Sequence, residues 1–194
     1  MGLKMDCKSK LAKNTAVYAI GNFGTKILSY IMVLVYSYFI APNEMGYYDL
    51  VLTTISMIQP LVIFQINDGV FRYLLDSDKN SRYSVISNSF KFLCFTAVIS
   101  EGVFCIICTF YNLKYTLWIG LLLLSTMFFT LLQDIVRGLG KNKKYALYGI
   151  LNSAVMLVIE VIGLVFLKLG VQALIISKVL SYMVCIIVML IENP

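Results

Sequence analysis

The stretch Val171–Ile191, VQALIISKVLSYMVCIIVMLI, carries one charged residue, Lys178, and neither glycine nor proline. A helix that crosses the hydrocarbon of a bilayer needs about 20 mostly apolar residues. A helix on the surface of a soluble domain keeps a wide polar face. Here only Lys178, Ser181 and Cys185 mark a weak polar stripe. The stretch therefore reads as a membrane span, and the rest of the chain is read outward from it.

Toward the N-terminus the same reading recurs at Tyr145–Leu167, Tyr115–Val136, Ser84–Phe110, Tyr47–Ile66 and Asn14–Ile40. The expectation is an all-α integral membrane protein, a bundle of six transmembrane helices preceded by a basic segment over 1–13. The breaks have recognisable chemistry. Ala41-Pro42-Asn43-Glu44 is a turn signal. Tyr111-Asn112-Leu113-Lys114 separates the third and fourth spans. Lys168-Leu169-Gly170 separates the fifth and sixth, with Gly170 suited to a C-terminal cap. The connections at 67–83 and 137–144 are longer and charged.

Composition agrees. Of 194 residues, 60% are hydrophobic and 13% are charged, where a soluble domain carries about 45–50% and about 25%. These proportions exclude a water-soluble enzyme and a disordered chain. The chain has no histidine, so the commonest general base and most metal sites are missing. The five cysteines (Cys7, Cys94, Cys105, Cys108 and Cys185) are odd in number, and four lie in apolar stretches, which argues against a disulfide framework. Cys105 and Cys108 form a lone C-x-x-C without the further ligands a metal needs. Asp76 and Asp78 read as a solvated loop, with Mg2+ binding the lesser alternative. With no phosphate loop and no grouped acids, the sequence reads as neither enzyme nor cofactor binder.

The net charge of +6 reports membrane orientation here, with no nucleic-acid partner implied. Lys4, Lys8, Lys10 and Lys13 precede the first span. Arg72, Lys79 and Arg82 follow the second, and Arg137, Lys141, Lys143 and Lys144 follow the fourth. Only Lys114 and Lys168 lie in the opposite connections. Basic residues mark the cytoplasmic side, so both termini and both long connections are expected there. Asn22, Thr25 and Lys26 interrupt the first apolar run, which reads as an uncleaved helix and not as a signal peptide.

Polar residues recur at helical spacing inside the spans: Thr15, Tyr18, Asn22, Thr25, Lys26 and Ser29 in the first, and Asp49, Thr53 and Ser56 in the second. Ser84, Asn88, Lys91 and Glu101 do so in the third, Thr126, Thr130, Gln133 and Arg137 in the fourth, and Gly149, Ser153 and Glu160 in the fifth. Small and hydroxyl residues in such stripes serve helix packing. Ionisable residues at depth cost more, roughly 2.5–3.5 kcal/mol on insertion scales. Lys26, Glu101 and Glu160 are therefore candidates for a hydrated pathway, or for an internal ion pair. Lys178 is closer to its span's end, where snorkelling is open to it. Pro60 marks a kink in the second span.

Three stretches carry a family resemblance. They are Pro42-Asn43-Glu44-Met45-Gly46-Tyr47-Tyr48-Asp49, then Gln65-Ile66-Asn67-Asp68-Gly69-Val70-Phe71-Arg72-Tyr73-Leu74-Leu75, and Arg137-Gly138-Leu139-Gly140-Lys141-Asn142-Lys143-Lys144-Tyr145-Ala146. In this order and with six-span spacing they resemble the bacterial flippases that export O-antigen and capsule repeat units. Those belong to the multidrug/oligosaccharidyl-lipid/polysaccharide superfamily, and the likeness runs from about Asn14 to Ile191.

The resemblance implies one lobe of a twelve- to fourteen-helix transporter of the bacterial cytoplasmic membrane, the second lobe being absent or supplied by another chain. It implies as substrate an oligosaccharide on undecaprenyl diphosphate, with membrane lipids as the other partner. A diphosphate is anionic, and the candidate cavity residues are Lys26, Asn22, Glu101, Glu160, Lys178, Arg72 and Arg137. Lys26 and then Lys178 are the expected cations. Glu101 and Glu160 pair with them or carry a coupling proton. Arg72 and Arg137 match basic positions of the family, or act as topology determinants alone. The competing readings are a multidrug exporter of the same superfamily, a non-transporting membrane scaffold, and, disfavoured by the missing acidic clusters, a membrane glycosyl- or phosphotransferase.

Overall fold

The computed structural model describes residues 2–76, 79–111 and 114–192, with side chains at 19, 22–76, 81–110 and 114–192. The lysines at 4, 8, 10, 13 and 79, the hydroxyls at 15 and 18, the cysteine at 7 and the loop residues 77, 78, 112 and 113 lie outside those side chains. The elements are α1 (Gly2–Phe39), α2 (Pro42–Val62), α3 (Ile66–Asp76), α4 (Lys79–Tyr111), α5 (Thr116–Gly138), α6 (Asn142–Val161), a π-helical turn (Ile162–Phe166) and α7 (Val171–Glu192). No strand occurs among the described residues.

The described residues are all-helical, and among them four helices are long and apolar enough to cross a membrane: Ser81–Phe110, Thr116–Gly138, Asn142–Phe166 and Val171–Glu192. A fifth candidate is α2 with α3, two helices bent by 57° at a short break. The expectation of six spans is thus met only as four to five. In the part of α1 whose side chains are described, Asn22, Thr25, Lys26 and Ser29 dilute the apolar run.

The second span departs most from the sequence reading. It starts at Pro42, where the missing N–H costs nothing because the first turn has no partner for it. Pro60 lies inside the continuous helix. The break comes later, at Phe64 and Gln65, which take left-handed backbone conformations at φ 50° and 52°. The N–H of Gln65 donates to the Pro60 carbonyl at 3.2 Å. The charged connection expected over 67–83 instead contains α3, an amphipathic helix that buries Asn67, Val70 and Leu74.

α5 and α7 form the centre. Leu122, Met127 and Leu131 on α5, and Leu174, Ile175 and Val179 on α7, are buried. α7 packs between α5 and α6, α1 covers α6, and α3 and α4 cover α5, while α2 leans on α7 and α5. Apolar burial gives little drive between helices already in lipid, so association depends on close fit. Small residues supply that fit. A Cβ on Gly163 would lie 2.8 Å from the Ala173 Cβ, and one on Gly138 would lie 2.8 Å from the Leu74 Cβ. The outer faces carry exposed Leu61, Val98, Leu117, Phe166 and Ile191, the surface a lipid-facing bundle presents.

The bundle has two distinct ends. At one, the Tyr47 hydroxyl donates to the Lys114 carbonyl at 2.7 Å, and Gly170 lies against the Glu44 carboxylate. The short connections at 40–43 and 167–170 and residues 114–115 therefore gather there. At the other, Lys144 pairs with Glu192 at 2.9 Å, Tyr148 donates to Glu192 at 2.7 Å, and the Arg137 guanidinium lies 4.3 Å from the Phe71 ring centre.

Candidate functional site

Among the described residues, two cavities carry polar groups in their walls, the first beside the apolar Leu52, Ile55 and Leu122. The first, about 310 Å³, lies between α2, α5 and α7. α2 gives it Thr53, Ser56 and Gln59, one turn apart. α5 gives Thr126, and α7 gives Lys178 and Tyr182, also one turn apart. This spacing places each set on one face of its helix. The α2 wall is anchored. Gln59 donates to the Thr130 hydroxyl at 2.9 Å and Asn67 donates to the same oxygen at 3.2 Å, while Thr130 donates to the Thr126 carbonyl. A single α5 threonine thus ties both sides of the α2–α3 break.

Behind Lys178 stands Glu160. It is 1% exposed, and neither carboxylate oxygen has a hydrogen-bond partner. Lys178 is the cation whose field acts on it, and the Tyr36 and Tyr48 hydroxyls lie within its electrostatic reach. Lys178 and Glu160 form no contact ion pair; among the described residues Lys144 and Glu192 do. The lysine thus faces a polar cavity with a buried counter-charge behind it. The π-helical turn starts two residues after Glu160, with the Leu167 N–H reaching back to the Ile162 carbonyl. Such turns occur often at functional sites.

The second cavity, about 230 Å³, lies between α1, α5 and α6. Its wall holds three amides, Asn22, Gln133 and Asn152, and the hydroxyls of Thr25, Tyr145 and Ser153. Phe129 also lines it and stacks on Tyr182, with ring centres 4.6 Å apart. One aromatic pair therefore contributes to both cavities, Tyr182 to the first and Phe129 to the second.

The seven expected site residues do not converge on one place. Lys178 lines the first cavity with Glu160 beside it, and Asn22 lines the second. Lys26 is exposed on α1 and lines neither. Glu101 is half-buried at the contact of α4 with α5. Its Oε2 lies 2.8 Å from where a Cβ on Gly120 would be, and its Oε1 is buried without a hydrogen-bond partner. Arg72 is exposed on α3. Arg137 is held over Phe71, with Tyr145 at 5.9 Å and the Asp134 carboxylate in electrostatic reach. Helical spacing reports a face of one helix, and which faces meet depends on inter-helix packing.

Sequence reasoning missed Tyr36, Tyr48, Tyr182, Gln59 and Asn152. A phenol is half ring and half hydroxyl, so which of the thirteen tyrosines turns its hydroxyl toward a cavity depends on the facing helix. The one available signal was Tyr182 at four residues from Lys178. Among the described residues no three His, Cys, Asp or Glu side chains group as metal ligands. Cys105 and Cys108 are free thiols, one exposed and one buried.

No family model matches the chain, and no curated protein or solved structure matches it.

Proposed function

We propose that this chain is a lobe of a membrane flippase that moves undecaprenyl diphosphate-linked oligosaccharide repeat units across the bacterial cytoplasmic membrane for surface-polysaccharide synthesis. In this reading α1 and the bent α2–α3 pair are both spans, which makes six, and both termini are cytoplasmic. The observation that carries it is Lys178 in the wall of a polar cavity within an apolar bundle. A cation at such depth is costly unless it has a partner or a task. In a low-dielectric setting its attraction for an anionic headgroup is several times that in water. Glu160 balances the lysine when no ligand is bound, and a diphosphate then competes for the ammonium. Lys178 takes the role for which Lys26 was the first expectation, because Lys26 lies outside the cavity.

The test is lipid binding by the chain in nanodiscs, read by native mass spectrometry. An undecaprenyl diphosphate-linked saccharide should bind in preference to undecaprenol. Lys178→Ala should weaken that binding by about tenfold or more, the loss expected for a hydrogen bond to a charged group. Lys114→Ala, in a short connection, should leave it unchanged. Equal binding of the diphosphate lipid and undecaprenol, or equal binding by the two variants, overturns the proposal.

A further inference from the structure

The second cavity differs in kind from the first. No lysine, arginine, aspartate or glutamate lines it; amides, hydroxyls and two aromatic rings do, together with Ala146 and Gly149. Two of the hydroxyls already spend their protons on their own helices. Thr25 donates to the Asn22 carbonyl at 2.8 Å, and Ser153 donates to the Gly149 carbonyl at 3.2 Å. They present lone pairs to the cavity. The Asn152 Oδ1 is buried with no donor. The lone pairs of these hydroxyls suit a ligand that brings O–H groups. Amide N–H groups on Asn22 and Gln133 supply the complementary donors. An anion finds no cation here and a cation finds no carboxylate. A neutral polyhydroxyl group both donates and accepts, as these amides and hydroxyls do.

The shared aromatic pair gives the second link. Tyr182 walls the lysine cavity and Phe129 walls the amide cavity, and the rings stack. The chemistry of a ligand with an anionic part and an uncharged hydroxyl-rich part is matched by the walls on the two sides of that stack. We propose that the α1–α5–α6 cavity binds a neutral sugar residue next to a phosphate held at Lys178. The assignment to one ligand rests on the function proposed above; the sugar site itself rests on the lining.

The test uses free sugars, so that it does not depend on the lipid. With the chain in nanodiscs, saturation-transfer NMR should detect glucose and N-acetylglucosamine but not glucuronate, whose carboxylate has no partner in the cavity. Asn152→Leu and Gln133→Met should each weaken the sugar signal by about tenfold, the cost of a lost buried hydrogen bond. Gln133→Met keeps side-chain length and so keeps the test readable if Asn152→Leu fails to fold. Lys178→Ala should leave the sugar signal intact while it weakens diphosphate-lipid binding by about tenfold or more. Neutral sugars that respond no more than glucuronate, or signals unchanged in both cavity variants, overturn the sugar site. If diphosphate-lipid binding persists in that case, the lysine reading stands without it.

Discussion

Glu160 and Lys178 are held at unequal depth. The acid is sealed on every side, whereas the lysine reaches the cavity wall. Removing one member of a buried charge pair leaves the other uncompensated, at a cost of about 3–5 kcal/mol. Lys178→Met should therefore lower stability by an amount at the low end of that range, because the two side chains are not in direct contact. The double variant Glu160→Gln/Lys178→Met should recover most of the loss, and thermal unfolding of the four proteins in one detergent measures the coupling. Additive losses would show that the charges do not act on each other. Glu101 makes a separate case. Gly120→Ala forces a methyl against its carboxylate and the Phe104 ring, which should cost about 1–3 kcal/mol as overpacking. Glu101→Ala in the same chain should restore most of it. Both glutamates were visible in the sequence as acids inside apolar runs. That one faces a lysine and the other a glycine was not, because the deciding neighbour sits on another helix.

The break between α2 and α3 is an element held in a strained form by its surroundings. Two non-glycine residues in left-handed conformation cost roughly 1–2 kcal/mol each, and the anchor is the Thr130 hydroxyl that accepts from Gln59 and Asn67. Gln65→Gly should leave the fold intact and raise stability by up to about 1 kcal/mol, since glycine takes that conformation freely. Thr130→Val keeps the shape and removes the acceptor from two amides; it should cost about 1–3 kcal/mol. If Thr130→Val unfolds like the parent, the anchor is not the threonine. The break was not legible in advance. Pro60 lies about one turn before the break, and Ile63-Phe64-Gln65 contains none of the residues that normally mark a reversal of backbone hand. α3 was hidden because Asp68, Arg72 and Asp76 made 67–83 look like a solvated connection. Only its buried row of Asn67, Val70 and Leu74 gives it a helical period. The apolar helices α4, α5, α6 and α7 were legible because length and hydropathy alone decide them.

At the scale of the whole molecule, the two ends differ in chemistry as well as in loop length. The end closed by Tyr47 and Lys114 also holds Glu44, Gly170 and Lys168. The opposite end gathers Arg137, Lys144 and Glu192 with α3. Basic residues are retained on the cytoplasmic side of a membrane because translocating them is costly. The three-dimensional grouping matters for that rule, since charges scattered over both ends would cancel its effect. Here Arg72, Arg82, Arg137, Lys141, Lys143 and Lys144 flank the α3–α4 and α5–α6 connections. The prediction is that the end with the short connections is periplasmic. It is checked in a background with Cys7, Cys94, Cys105, Cys108 and Cys185 replaced by serine, so that no native thiol reacts. A membrane-impermeant maleimide applied to intact cells should label Asn43→Cys and Lys168→Cys. Asp76→Cys and Ser81→Cys, at the other end, should react only after the membrane is permeabilised. Labelling of 76 and 81 with protection of 43 and 168 would invert the protein in the membrane. Labelling of 43 with protection of 168 would show that the two connections lie on opposite sides, and would remove the antiparallel pairing of spans on which the two-ended reading depends.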